Sequence, residues 1–287
     1  MPMPPLLATL DSHDTSFWKA ITEHNFAVPP NESVGALALE MADLAASTNP
    51  TLRDSCGYET LAAWVFRDNL LTAAELEALR SKLLPSMTFR IGESESDTIF
   101  RRSFSALYMS ILAAQDLRNP FLSAATFKET LDTALRCYAE EKDLRGYVPA
   151  KGWAHATAHV GDLLKFLARN PNLSAEDQAR IVDAVAQRCR TAHFVFSWGE
   201  DARMAAALLS VADRKDFNAS AFERWFKALI SENKDLWKRP KFDAAAYASV
   251  RVQANVLAHL AAKSAMQKDR IPQRFRDALG EALSKVD

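Results

Sequence analysis

The run from Asp143 to Asp162, Asp-Leu-Arg-Gly-Tyr-Val-Pro-Ala-Lys-Gly-Trp-Ala-His-Ala-Thr-Ala-His-Val-Gly-Asp, gathers carboxylates, cations, imidazoles, an indole and glycines more densely than any other part of this chain. Placed on a helix at about 100° per residue, His155, His159 and Asp162 stand at i, i+4 and i+7 and fall within an arc of roughly 60°. Two imidazoles and a carboxylate facing one way are the beginning of a divalent-metal site, and they are also suited to moving protons. The same groups serve equally well as structure, with Asp162 and a backbone carbonyl holding two rings in fixed tautomers at a packed, partly polar helix interface. Three ligands without an identifiable fourth do not make a zinc centre, so no metal ligand and no cofactor is assigned.

Other chemical signatures are missing. There is no nucleophile elbow, no glycine loop with lysine to cradle phosphate, no HExxH and no paired CxxC. Cys56, Cys137 and Cys189 lie at no metal-ligand spacing, each inside an apolar pattern, and read as reduced core thiols. The balance of 35 basic against 36 acidic side chains leaves a net charge of -1, so neither nucleic acid nor an anionic membrane is expected as a partner. The opening Met-Pro-Met-Pro-Pro-Leu-Leu has no basic leader and runs at once into Asp11, His13 and Asp14, and no long apolar run follows anywhere. A cytoplasmic protein is the expectation.

The elements that must position these residues are helices. Glycine is scarce, alternating β-branched runs are absent, and alanine and leucine recur at three- and four-residue spacing almost throughout. The periodicity predicts helices near 15–24, 33–46, 51–67, 72–84, 96–115, 123–141, 151–169, 174–190, 200–213, 219–234, 242–265 and 272–285. Thr72 with Glu75, Ser174 with Asp177 and Ser220 with Glu223 read as N-terminal capping pairs, and Pro85, like the other prolines, is expected between segments.

Pairing the helices exposes a repeat. Arg53, Arg102, His155, Arg203 and Arg251 recur at separations of 48 to 53 residues, each at the opening of a helix whose apolar positions follow about five and eight residues later. The pattern resembles HEAT repeats, in which a proline or acidic turn leads into a second helix bearing an arginine near its start; Asn49-Pro50-Thr-Leu-Arg53 and Ser96-Asp97-Thr-Ile-Phe-Arg101 fit best, and the His155 copy departs most. The expected fold is therefore all-α, a HEAT/armadillo-like α-solenoid of about five to six helix pairs, forming one domain over 1–287 with 1–30 as a looser N-terminal cap. In HEAT proteins the acidic and arginine positions of neighbouring repeats pair into a structural ladder, and that resemblance gives most of the charges here a structural explanation.

Stacked side by side, the helix openings bring the unusual residues to one edge: Asp54, Glu93, Asp97, Arg101, Arg102, Asp143, Arg145, Lys151, Trp153, His155, Trp198, Glu200, Asp201 and Arg203, with His159 and Asp162 one and two turns further along. The segments Leu52-Arg53-Asp54, Ile91-Gly92-Glu93 with Asp97 and Phe100–Leu107, Asp143–Tyr147 with Lys151–His155, His159–Asp162 and Trp198–Arg203 together resemble the bacterial family known as domain of unknown function 2785, over roughly residues 45–260. The resemblance implies an all-helical protein and brings no activity with it.

Two function classes stay open. In one, the repeat edge binds a protein, a peptide or a small anionic ligand, with Arg102, Arg145, Lys151 and Arg203 as the clamp. In the other, a hydrolase-like enzyme, with or without a metal, uses His155, His159 and Asp162 with Glu200 or Asp201 as acid or base, and Tyr147, Trp153 and Trp198 as stacking surfaces. What separates them is whether the central acids and histidines converge on a pocket or pair off with one another.

Overall fold

The structure, a computed structural model, describes residues 13–286, so that part of the expected N-terminal cap lies outside the described residues. The protein is all-α. Helix α1 spans Thr15–Glu23 and α2 Val34–Leu44. Helix α3 is one continuous segment over 51–67, in which Thr51–Glu59 and Ala63–Arg67 are wound as π-helix around a short α-helical piece, Thr60–Ala62. Then come α4 (Ala73–Ser86), α5 (Thr98–Asp116), α6 (Ala124–Glu140), α7 (Ala156–Leu167), α8 (Ala175–Arg190), α9 (Glu200–Ala212), α10 (Ser220–Trp237), α11 (Ala244–Met266) and α12 (Gln273–Ser284). Between α6 and α7 the chain makes a small antiparallel ribbon, β1 (Tyr147–Val148) and β2 (Gly152–Trp153), with Tyr147 opposite Trp153.

Local chemistry accounts for most helix starts. Asp14, Ser33, Ser123, Ser174 and Asp243 each accept a first-turn N–H, and Thr72 with Glu75 completes the reciprocal box predicted for α4. The Ser220 pair is a correction: Ser220 is the first helical residue of α10, and its own N–H goes to Asn218 Oδ1 at 2.9 Å. Pro85 is another, since it stands inside α4, next to its last residue, where its missing N–H forgoes one bond to the preceding turn just before the helix ends. The largest correction concerns 151–169. Here Ala154 N–H donates to Gly146 O at 2.8 Å and His155 N–H to Arg145 O at 3.0 Å, so these donors are committed across a hairpin and helix α7 begins only at Ala156.

Packing alternates along the chain. Helix α5 lies against α7, α7 against α9 and α9 against α11, while α6 packs on α8, α8 on α10 and α10 on α12. Contacts of α4 with α5, α6 with α7, α8 with α9 and α10 with α11 tie the two ranks together. Helix α5 is buried on nearly every side, as its central place in the first rank demands. One apolar cluster runs from Trp18 to Val286. The three cysteine thiols are buried and unpaired, and burial pushes the Cys137 thiol up to about 12. Among the described residues no helix is long and apolar enough to cross a membrane.

Replacing Thr72 by alanine removes one half of the only complete capping box among those predicted. The expected loss is about 1 kcal/mol, read as a lower urea midpoint at an unchanged denaturant slope.

Candidate functional site

The repeat positions do not stand level. Arg53 is the third residue of α3, Arg102 the fifth of α5, His155 the residue preceding α7, Arg203 the fourth of α9 and Arg251 the eighth of α11. Their environments differ accordingly. Arg53 is 0% exposed, and among the described residues no carboxylate lies within ion-pair distance of it. Its guanidinium donates to Ser47 O at 2.5 Å, Lys151 O at 2.6 Å and Trp153 O at 3.3 Å, and lies 4.1 Å from the Phe100 ring centroid and 4.5 Å from that of Phe104. Burial pulls its pKa down to about 10, which leaves it charged at neutral pH. A side chain at Gly152, whose φ is +77°, would place Cβ 2.9 Å from Pro50 and 3.2 Å from this guanidinium. Only glycine lets the hairpin come this close.

Four further cations of the predicted cluster, Arg102, Arg145, Lys151 and Arg203, are each matched to an acid. Arg102 and Glu141 form a buried two-pronged pair at 2.6 and 3.0 Å, and Arg102 also donates to Thr98 Oγ1, Phe89 O, Arg90 O and Glu93 O. Arg145 and Asp143 pair at 2.6 Å, Asp143 accepts the Glu95 N–H at 3.0 Å, and Arg145 reaches Ser96 O at 2.9 Å. Lys151 meets Asp97 at 2.7 Å in the open. Asp162 takes Arg203, with Lys165 at 3.5 Å on its other oxygen. Glu93 accepts from Ser96 and Thr98 and pairs with Arg90; the hydrogen bonds from Thr98 and Ser96 hold its carboxyl below the usual range. Arg101 lies over the Phe89 ring, and Asp54 is half-buried, its pKa raised by burial. Asp201 does not join the group, since its carboxylate faces His259 of α11 at 3.4 Å.

The histidines part company as well. His159 is buried, its Nδ1 2.7 Å from Ser103 Oγ on α5 and its ring edge-on to Phe104. Burial, with His155 and Arg203 nearby, takes its pKa well below the ordinary value. Ser103 is itself 0% exposed, so this serine–histidine pair offers no substrate an approach. His155 adopts φ +50°, stacks on Trp153 at 5.0 Å and points Nε2 toward Glu200 Oε1 at 3.6 Å, too far for a hydrogen bond. That Nε2 is buried and has no hydrogen-bond partner. Burial brings the His155 pKa down to about 4 and raises that of Glu200, whose other oxygen accepts the Trp198 N–H at 2.9 Å. Among the described residues no three His, Cys, Asp or Glu side chains converge as a metal ion would require.

Above His155 lies an aromatic shelf. Tyr147 and Trp198, 46% and 49% exposed, stand 5.9 Å apart between ring centroids, and Trp153 lies 5.2 Å from the first and 5.8 Å from the second. Gly146 lies directly under the Trp198 indole, where any Cβ would collide with the ring. Sequence reasoning placed the Asp143–Lys151 loop, Trp153 and His155 here but missed Glu141, Ser103 and Arg188. Their partners lie 39, 56 and about 50 residues away in sequence, and no local pattern marks such pairings.

Arg53→Met should release the hairpin, because it leaves three carbonyls without their donor; a loss of about 3 kcal/mol is expected, with amide exchange accelerated at Tyr147–Trp153 far more than in α11. The acid limb of stability gives a second check. A histidine whose folded pKa lies below its unfolded value favours folding fully above about pH 6.5 and loses that contribution as pH falls toward about 4. His155→Gln should flatten the stability curve across that window by up to about 3 kcal/mol, and an unchanged acid limb would show that His155 is not held neutral.

Neither a curated protein nor a solved structure matches the chain. Residues 87–269, more than half of the chain and the whole hairpin network apart from Arg53, match the family described as "Protein of unknown function (DUF2785)", and the chain belongs to that family.

Proposed function

We propose that the protein is a HEAT-like helical solenoid that binds a neutral, ring-bearing ligand, a saccharide first among such ligands, on the shelf made by Tyr147, Trp153 and Trp198. The observation that carries this reading is the open aromatic shelf itself, three rings with centroids 5.2 to 5.9 Å apart, of which Tyr147 and Trp198 are about half exposed. Aromatic faces take the apolar face of a sugar ring and leave the hydroxyls at its rim in water.

The charge arrangement favours this ligand over an anion. Arg102, Arg145, Lys151 and Arg203, the candidate anion clamp, are each held by an acid, so an arriving phosphate or carboxylate would have to displace an existing partner. The catalytic alternative gains no comparable support, because Asp162 is occupied by Arg203 and Lys165 and His159 by Ser103.

Titration of the protein with monosaccharides, oligosaccharides, nucleosides, a proline-rich peptide and inorganic phosphate, followed by tryptophan fluorescence, tests the proposal. Quenching by a sugar is expected, with at least a tenfold loss of affinity in Trp198→Ala and little change in melting temperature, since that indole is half exposed. Saturable binding of phosphate or peptide alone, or a sugar affinity indifferent to Trp198, would replace the reading.

A further inference from the structure

The helical hairpin of α10 and α11 projects past its neighbours. His259, the sixteenth residue of α11, faces Asp201, the second of α9, and Arg270, shortly beyond α11, pairs with Asp213, just beyond α9. The two helices therefore run parallel but out of step, and α11 starts about fourteen residues earlier, roughly 20 Å at 1.5 Å per residue. Arg190, the last residue of α8, meets Glu232 at 2.8 Å, so the end of α10 stands clear of α8 as well.

This tip interleaves aromatic rings with cations: Lys234, Trp237, Lys238, Arg239, Lys241 and Phe242. Trp237 and Phe242 are 65% and 70% exposed, more than any other tryptophan, tyrosine or phenylalanine among the described residues. Both rings rest against Tyr247, at 6.3 and 5.6 Å between centroids, and the indole N–H donates to Asn233 Oδ1 at 3.2 Å. These contacts hold the rings at the apex without covering them. The charge is one-sided. Residues 234–243 hold four cations against two acids, and both acids are taken, Asp235 by Lys238 at 3.1 Å and Asp243 by Arg239. Lys234 and Lys241, both exposed, have no acid within ion-pair distance among the described residues. The net charge of -1 for the whole chain hides this local excess.

An anionic bilayer answers both features. Indole and phenyl rings settle at headgroup level, while lysine stems lie along apolar surface and carry their ammonium groups to the lipid phosphates. A single-stranded nucleic acid would need a groove along which successive bases stack, and a projecting tip offers none. We propose that the α10–α11 tip is a peripheral anchor for anionic membrane surfaces, with Trp237 and Phe242 entering the headgroup region and Lys234 and Lys241 supplying the attraction. The anchor is separate from the aromatic shelf and does not rest on what that shelf binds.

Flotation of the full chain with vesicles of phosphatidylcholine, alone or with about 30 mol% phosphatidylserine, tests it. Partition into the anionic vesicles should be roughly thirtyfold higher, as two cations near the surface would give, and should fall toward the neutral value at high salt. Trp237→Ala with Phe242→Ala, and separately Lys234→Gln with Lys241→Gln, should each lower it at least tenfold with little change in melting temperature, because all four side chains are exposed. Vesicles carrying a brominated lipid should quench tryptophan emission in the wild type and far less in Trp237→Phe. Equal partition into neutral and anionic vesicles, partition or quenching that the tip variants leave unchanged, or binding of a labelled oligonucleotide without binding of vesicles overturns the proposal.

Discussion

A guanidinium buried without a carboxylate is the constraint from which the centre of this structure follows. Removing a full charge from water costs several kcal/mol unless its donors are met, and Arg53 meets that demand with carbonyl dipoles and two aromatic faces. Those carbonyls belong to the loop before α3 and to the hairpin before α7, a hundred residues further on. Satisfying Arg53 therefore fixes where the hairpin sits, and with it Trp153 and His155. Gly152 belongs to the same solution, because its missing side chain lets backbone and guanidinium approach closely.

Around that anchor the charges grade from structural to merely superficial. Arg102 with Glu141 is nearly sealed from solvent, and Arg102 also donates to three carbonyls of the 89–93 turn, so neither partner could be lost without stranding the other. Lys151 with Asp97 lies open on both sides and contributes little by comparison. These pairs join loops and helix ends more than they join one helix opening to the next.

Helix positions were legible because an apolar stripe repeats every three to four residues and each start tends to carry its own cap; eleven of the twelve predicted segments coincide with observed helices to within a few residues. The failure at 151–169 is instructive. Ala154, His155 and Ala156 continue a helical pattern, and what stops the helix is a pair of backbone bonds to Gly146 and Arg145 together with a guanidinium from α3. Neither is written in the local sequence. The same limit applies to the candidate site. Residue types and spacing located the hairpin and its flanking acids, while the assignment of partners rests on chain segments 39 to 100 residues apart that only the packed helices bring together. Arg251 shows the converse, a period in the sequence that the register of α11 does not honour.

His155 draws these strands together. A non-glycine residue at φ +50° is tolerated only where its surroundings over-determine it, and here the preceding ribbon, the stacked Trp153 and the first turn of α7 all do so. The strain holds the imidazole against Glu200 at a distance that completes no bond between them. If the contact served packing alone, two apolar side chains of similar size would avoid both desolvation penalties, and buried polar pairs are commonly no more stable than such replacements. What the polar pair does instead is fix one arrangement, with His155 stacked on Trp153 and Glu200 holding the Trp198 N–H, so that the exposed rings of Tyr147 and Trp198 stand on a rigid base.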